Sequence, residues 1–201
     1  MLIRAAYDEH TLTVYQAYHP RIALPAVAEQ RLALPGFKVE RMTWIKPSFL
    51  WMMYRSGWAT KENQERVLAL KIKRTGLDWA LQHACLSHFN ATAHPSSTEW
   101  KEHLQAAPVR IQWDPERDVQ LNPLPQRAIQ IGLSGEAVAR YVHEWVEEIT
   151  DVTALAHEIQ TLVQARQIQA AVDRLPKETV YPTRAMPHLL LEHLLLEQTA
   201  S

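Results

Sequence analysis

Cysteine is almost absent from this 201-residue chain: Cys85 stands alone, which excludes an internal disulfide and leaves no thiolate set for zinc or an iron–sulfur cluster. A reducing compartment is the corresponding expectation. Glycine is scarce too. Five residues leave no glycine-rich phosphate loop and no dinucleotide fingerprint. No run approaches the roughly 18 apolar residues that span a bilayer. The opening Met1-Leu2-Ile3-Arg4-Ala5-Ala6-Tyr7-Asp8 carries no apolar segment ahead of a small-residue cleavage site. A cytoplasmic protein without membrane association is expected. Neither sign of charge dominates, and a formal net charge of −1 exerts no global pull on phosphate backbones, so a nucleic-acid partner would need a local basic face. The serine-centred nucleophile elbow is missing. The ten histidines are scattered; His83 and His88, like His188 and His193, lie five apart, off the i,i+4 spacing that aims two imidazoles at one metal. No metal is expected.

What is present is an ordinary globular composition, 47% hydrophobic and 21% charged, sufficient for a core without staples. Seven tryptophans exceed what such a core needs. Nothing reads as a linker, so one domain is expected over 1–201, with a core of about 1–180 and a helical tail over 181–201. The fold class is α+β, with mixed or antiparallel sheets flanked by helices.

Alternating β-branched and aromatic residues predict a strand from Thr11 to Tyr18. A short helix over 22–32 follows, then a strand over 38–45. Pro47 opens a helix from Ser48 to Ser56, with Gly57 as its left-handed cap. Residues 65–73 read as another strand, leading into a helix carrying Leu77, Trp79, Ala80, Leu81 and Ala84. Ser96 and Glu99 form a capping box before a helix through Leu104. Val109 to Trp113 and Arg127 to Ile131 are strands joined by an Asp114 to Asp118 loop and a proline-rich stretch. Ser134 is predicted to cap a helix carrying Val138, Tyr141, Val142, Trp145 and Ile149. A second helix runs from about 151 to 174, and Leu189 to Leu196 reads as a terminal helix.

Three blocks carry possible chemistry. In a helix starting near Pro47, Trp51 and Arg55 share a face, while Lys46 and Ser48 sit at the amino-terminal turn, whose N–H groups suit a phosphate or carboxylate. The apolar Phe49, Leu50, Met52 and Met53 read as a buried helix with tryptophan anchors, which leaves Lys46, Ser48, Tyr54 and Arg55 to be explained. Tyr15-Gln16-Ala17-Tyr18-His19 ends a strand, where tyrosines can hold a planar ring and Gln16 or His19 can hydrogen-bond it; edge-strand packing has the same spelling. Trp113-Asp114-Pro115-Glu116-Arg117-Asp118, with Arg127 and Gln130, offers Glu116 as an acid or base; an exposed turn of self-neutralising charges is the alternative.

Arg4 to Asp8, Thr13 to Tyr18, Met42 to Trp58, Gln64 to Ala69, Trp113 to Arg117 and Arg127 to Leu133 together resemble the family catalogued as domain of unknown function 4291, over roughly residues 1–180. The strand-first pattern also resembles the ADP-ribosyltransferase superfamily, which splits NAD at the nicotinamide bond. That second resemblance implies that Tyr15 to Tyr18 grip NAD, that Ser48 and Tyr54 hold the nicotinamide, and that Gln130 stands where a glutamate stabilises the ribose cation. Gln16 replaces the superfamily's His or Arg, and Gln130 its glutamate. Either the chemistry differs, Glu116 takes the acidic role, or the protein only binds a nucleotide.

The expected activity is therefore binding of NAD or a related nucleotide, with transfer of ADP-ribose to an acceptor. Gln16, Tyr54, Glu116 and Gln130 are the catalytic candidates. Tyr15, Tyr18, Trp44, Lys46, Ser48, Trp51, Arg55 and Arg127 are the cofactor-binding candidates. The alternative is an RNA- or nucleotide-binding module without turnover, in which Arg41, Lys46, Arg55, Lys61, Lys71, Lys73 and Arg74 form a basic face beside Trp44 and Trp58.

Overall fold

A strand whose side chains are buried on both faces organises the molecule. In the computed structural model, which describes residues 2–91 and 94–183, strand β1 is Arg4–Ala5 and β2 is Thr11–Tyr18. Along β2, Leu12, Val14 and Gln16 point to one face and Tyr15 to the other, as a period of two demands. The remaining strands are β3 (Thr43–Ile45), β4 (Arg66–Lys73), β5 (Ala84–Leu86), β6 (Val109–Arg117), β7 (Pro123–Leu133), β8 (Val146–Asp151) and β9 (Thr179–Val180). The helices are α1 (Pro20–Glu29), α2 (Phe49–Ser56), α3 (Arg74–Gln82), α4 (Ser97–Ala106), α5 (Glu136–Arg140), α6 (Thr153–Gln164) and α7 (Ile168–Asp173). The fold is α+β, as the sequence implies.

Strands β2-β4-β8 form an antiparallel sheet, and β3-β7-β6-β5 form a second in which only β5 and β6 are parallel. The two sheets meet edge to edge at one point. Tyr15 N–H donates to the Lys46 carbonyl at 2.7 Å, and Lys46 N–H returns the bond to Tyr15 at 3.3 Å. A main core of Leu12, Val14, Leu68, Leu70, Ile131, Tyr141 and their neighbours lies on one side. A smaller one joins Tyr15, Phe49, Met52 and Met53 to Ala156 and Ile159 of α6. The short β1-β9 pair joins Arg4–Ala5 to Thr179–Val180, reinforced by Arg74, whose guanidinium donates to the Tyr181 hydroxyl and lies over the Tyr7 and Tyr181 rings.

Several local expectations are corrected. Only Thr43–Ile45 of the predicted 38–45 strand pairs, because its partner β7 ends at Leu133. The helix over 22–32 begins earlier, at Pro20 after the His19 cap, and stops at Glu29, where Gln30 turns left-handed. Ser134 does not cap α5; its hydroxyl donates to the Pro108 carbonyl, and Gly135 takes the cap position. The helical pattern after it ends in a π-turn at Tyr141–Trp145, and Val146–Asp151 extends to pair with β4. There Ile149 satisfies strand pairing as well as it fits the helical spacing, and the Lys71–Glu148 bond of 2.6 Å pins the register. The single helix over 151–174 is two, broken where Arg166 adopts φ 60°. Of the expected Asp114 to Asp118 loop, Asp114 to Arg117 continue strand β6, and the reversal comes only at Asp118–Asn122. Strand β5 has no counterpart in the sequence reading, and the helix expected over 189–196 lies outside the described residues.

Gly76 supplies a test of the packing. A Cβ there would come within 2.5 Å of the Trp145 ring, which lies directly on α3. Exchanging glycine for alanine in a helix ordinarily gains up to about 1 kcal/mol. Here the overpacking reverses the sign, and Gly76→Ala is expected to lose about 1–3 kcal/mol in denaturant unfolding. A stabilised variant would show that Trp145 is free to move away.

Candidate functional site

Past the Tyr15–Lys46 bridge, β2 and β3 share no further backbone pair, and between their diverging ends opens a cavity of about 670 Å³. One wall is the face of the second sheet. Register places Trp44 opposite Gly132 and Gln130 opposite Gln112, and the alternation of strands brings Met42, Trp44, Lys46, Gln112, Asp114 and Gln130 to the same side. Gly132 is required in this wall: a Cβ would stand 3.0 Å from the Trp44 ring and from the Met42 sulfur. The other wall is α2, with Trp51 and Tyr54, and the end of β2, with Gln16 and Tyr18. Helix α2 is held by its ends, Ser48 accepting from Trp51 N–H at 3.1 Å and Gly57 closing it at φ 59°. The Arg117 guanidinium lies 3.6 Å from the Tyr54 ring centre and braces it from behind.

The polar groups divide into rim and floor. Arg55 and Lys61 are exposed at the rim, and the Lys61 ammonium donates to the Arg55 carbonyl at 2.8 Å. On the floor, the Asp114 carboxylate accepts from Gln112 at 3.0 and 3.2 Å and from Gln130 at 2.5 Å. Lys46 is 6% exposed, donates to the Trp44 carbonyl at 3.2 Å and forms no ion pair among the described residues. Burial, with the Arg55 charge adding to it and Asp114 opposing, brings its ammonium down to about 8.

Gln16, Tyr18, Trp44, Lys46, Trp51, Tyr54, Arg55 and Gln130 thus line one cavity. The other candidates lie elsewhere. Gln16 itself has no free donor: its amide N–H groups donate to the Thr43 hydroxyl at 2.7 Å and the Trp44 carbonyl at 3.2 Å, and its oxygen accepts from the buried Tyr141 hydroxyl at 2.7 Å. At the cavity's edge it joins the two sheets. Tyr15 packs edge-on against Phe49 in the smaller core. Arg127 is exposed on the outer part of β7. Ser48 donates to Glu116 at 2.8 Å, and both stand outside the cavity, at the start of α2. Gln112, Asp114 and Gln64 line the cavity as well, although the sequence alone singled out none of them as a site residue; Lys61 appeared there only in the basic face of the second reading. Asp114 was legible: it lies two residues beyond Gln112, so extending the strand past Trp113 would have put both on the Gln130 face.

The family model described as domain of unknown function (DUF4291) matches residues 2–181. The chain belongs to this family. No curated protein matches it. The DUF4291 match reaches from β1 to Tyr181, so it takes in both strands of the terminal pair and every residue of the cavity. Among the described residues of this DUF4291 domain, no three His, Cys, Asp or Glu side chains converge as a metal site, and no helix is long and apolar enough to cross a membrane.

The amino-terminal turn of α2, where the sequence suggested a phosphate, is occupied by the domain's own carboxylates. Glu178, just ahead of β9, accepts from Phe49 N–H at 2.7 Å. Burial, together with repulsion from Glu116, pushes the Glu178 carboxyl up to about 8 against the pull of the Phe49 N–H and Arg4. Burial also raises Glu116, opposed by the Arg117 N–H and the Ser48 hydroxyl.

Two expectations follow. The folded Glu178 keeps its proton to about 8, whereas a free glutamate loses it near 4.5, so between those values the native state binds more protons than the unfolded one. Stability is then full below the lower value and falls as pH rises toward the upper, by on the order of 2–4 kcal/mol. Glu178→Gln should flatten that slope in unfolding titrations; an unchanged slope would rule out the buried proton. Gln16→Leu leaves the Tyr141 hydroxyl and the Thr43 and Trp44 acceptors without this partner, and should cost at least about 2 kcal/mol in the same assay. A neutral effect would contradict its role as the joint.

Proposed function

We propose that the cavity binds NAD or a related nucleotide and that the protein is an ADP-ribosyltransferase-like domain. One observation carries the reading: four aromatic side chains, Tyr18, Trp44, Trp51 and Tyr54, surround a cleft with two cations at its rim and a fixed carboxylate on its floor. Its volume of about 670 Å³ falls in the range of small-molecule sites. Aromatic faces suit a planar base or nicotinamide, Arg55 and Lys61 suit a pyrophosphate, and the Asp114, Gln112, Gln130 and Lys46 floor suits ribose hydroxyls. Cys85 is free and buried, which fits the cytoplasmic setting that the reading assumes.

In the catalytic form of the proposal, the bond between the ribose anomeric carbon and the nicotinamide nitrogen breaks and nicotinamide leaves with the bonding pair. The acceptor then donates its own pair to that carbon and gives up a proton. Asp114 is the carboxylate that lines the cavity. It takes the part that the superfamily resemblance would assign to a glutamate, stabilising the positive charge on the ribose. Glu116 is not needed for this step.

Nucleotide binding without turnover is the second reading, favoured because Gln16, in the place of a His or Arg, is fully engaged in joining the sheets. The wider basic face that an RNA partner would use is divided. Lys71 and Lys73 face Glu148 and Glu147, Arg74 binds Tyr181, and of that set Lys46, Arg55 and Lys61 line the cavity.

Calorimetric titration with NAD and ADP-ribose tests the reading, with nicotinamide release as the second readout. Arg55→Met keeps most of the stem and removes the cation, so affinity should fall roughly 10- to 150-fold, the equivalent of about 1.5–3 kcal/mol. Asp114→Asn should slow nicotinamide release far more than it weakens binding. Absence of heat with either nucleotide in the wild type refutes the reading, and salt-sensitive RNA binding in its place supports an RNA module.

A further inference from the structure

We propose that Lys46 is a covalent carbonyl-capture site, its amine forming an imine with an anionic aldehyde held in the cavity. Lys46 is the lysine that the fold buries; Lys38, Lys61, Lys71, Lys73, Lys101 and Lys177 are all exposed. It lines the cavity rather than the packed core, and its nitrogen has a backbone carbonyl as its partner instead of a carboxylate. A lysine kept out of water beside another cation is held toward the neutral amine, which is the nucleophilic form. The charged and titratable groups around the cavity that face it are Arg55 and Tyr54 of α2, Lys61, Asp114 of β6 and Tyr18 of β2. The lowering of its ammonium to about 8 agrees with this surrounding.

The step balances without an oxidant or reductant. The amine lone pair adds to the carbonyl carbon and the C=O π bond breaks onto oxygen; after proton transfer from nitrogen to oxygen, the carbinolamine hydroxyl takes up a proton and leaves as water, and the resulting iminium gives up its N–H proton to leave the imine. Asp114, whose carboxylate is fixed on the same floor by Gln112 and Gln130, is placed to relay the protons. Arg55 and Lys61 at the rim select aldehydes that also carry an anionic group. ADP-ribose belongs to this class, since its free anomeric carbon opens to an aldehyde, whereas both ribose anomeric carbons of NAD are blocked. Only the naming of ADP-ribose rests on the nucleotide reading.

Borohydride trapping on the full chain tests the inference. The protein is incubated separately with pyridoxal 5′-phosphate, ADP-ribose and NAD, reduced, digested and mapped by mass spectrometry. The expected result is an adduct on Lys46 with the two aldehydes and none with NAD, increasing as pH rises through about 8 because the neutral amine reacts. It should be lost in Lys46→Met and in Lys46→Arg, both checked for an intact unfolding transition. Label on the exposed lysines with Lys46 unmodified overturns the site. So does calorimetric binding of ADP-ribose with no adduct at Lys46, which leaves the nucleotide reading standing. Capture of pyridoxal phosphate at Lys46 without binding of ADP-ribose supports the lysine and removes the nucleotide.

Discussion

A glutamine in the core holds the architecture of the site together. Two sheets that meet edge to edge through one backbone bridge share a single apolar core, which packs them together without a directional constraint on their joint. Gln16 supplies the missing constraint with three hydrogen bonds, reaching the Tyr141 hydroxyl on one side and the Thr43 hydroxyl and Trp44 carbonyl on the other. A buried amide is costly unless every group is satisfied, and this one is tied to both sheets and to the π-turn at once. Beyond it the strands part, and the cavity occupies the gap. The same Trp44 carbonyl also receives the Lys46 ammonium, so the joint and the cavity floor share an atom.

Charge is distributed so that the cavity sets Lys46, Arg55 and Lys61 beside aromatic faces. At the opposite end of this region, the start of α2 is closed by Ser48, Glu116 and Glu178. The helix terminus needs an acceptor for its free N–H groups, and the Glu178 carboxyl from beside β9 supplies it. The β1-β9 pair and Arg4, which donates to the Glu178 carbonyl at 3.0 Å, hold that glutamate in place. The terminal strands therefore act on the site from a distance, by fixing the helix that carries Trp51, Tyr54 and Arg55.

Much of this was legible in the sequence where local signals act alone. Strand β2 matches its alternation residue for residue, and Ser48 and Gly57 bound α2 because capping chemistry is local. Ser96 caps α4 by accepting from Glu99 N–H for the same reason. The failures are long-range. Ile149 belongs to a strand because β4 lies beside it, which no helical spacing records. Asp114 and Glu116 are two residues apart on one strand, but the register of β6 against β7 shifts between Pro115 and Arg117, and Asp114 lines the cavity while Glu116 does not. Gln16 looked like a ligand-binding amide because the Tyr141 that engages it lies 125 residues away. The family resemblance gathered the cavity-lining stretches without distinguishing wall from joint.

The proposed nucleotide site lies between β2, β3 and α2. A crystal structure of the chain grown with saturating ADP-ribose tests it most directly. Ligand density is expected inside the cavity, with an aromatic ring against the Trp44 or Trp51 face, the pyrophosphate at Arg55 and the distal ribose on the Asp114 floor. A cavity without density at that concentration, or ADP-ribose bound at another surface, would contradict it.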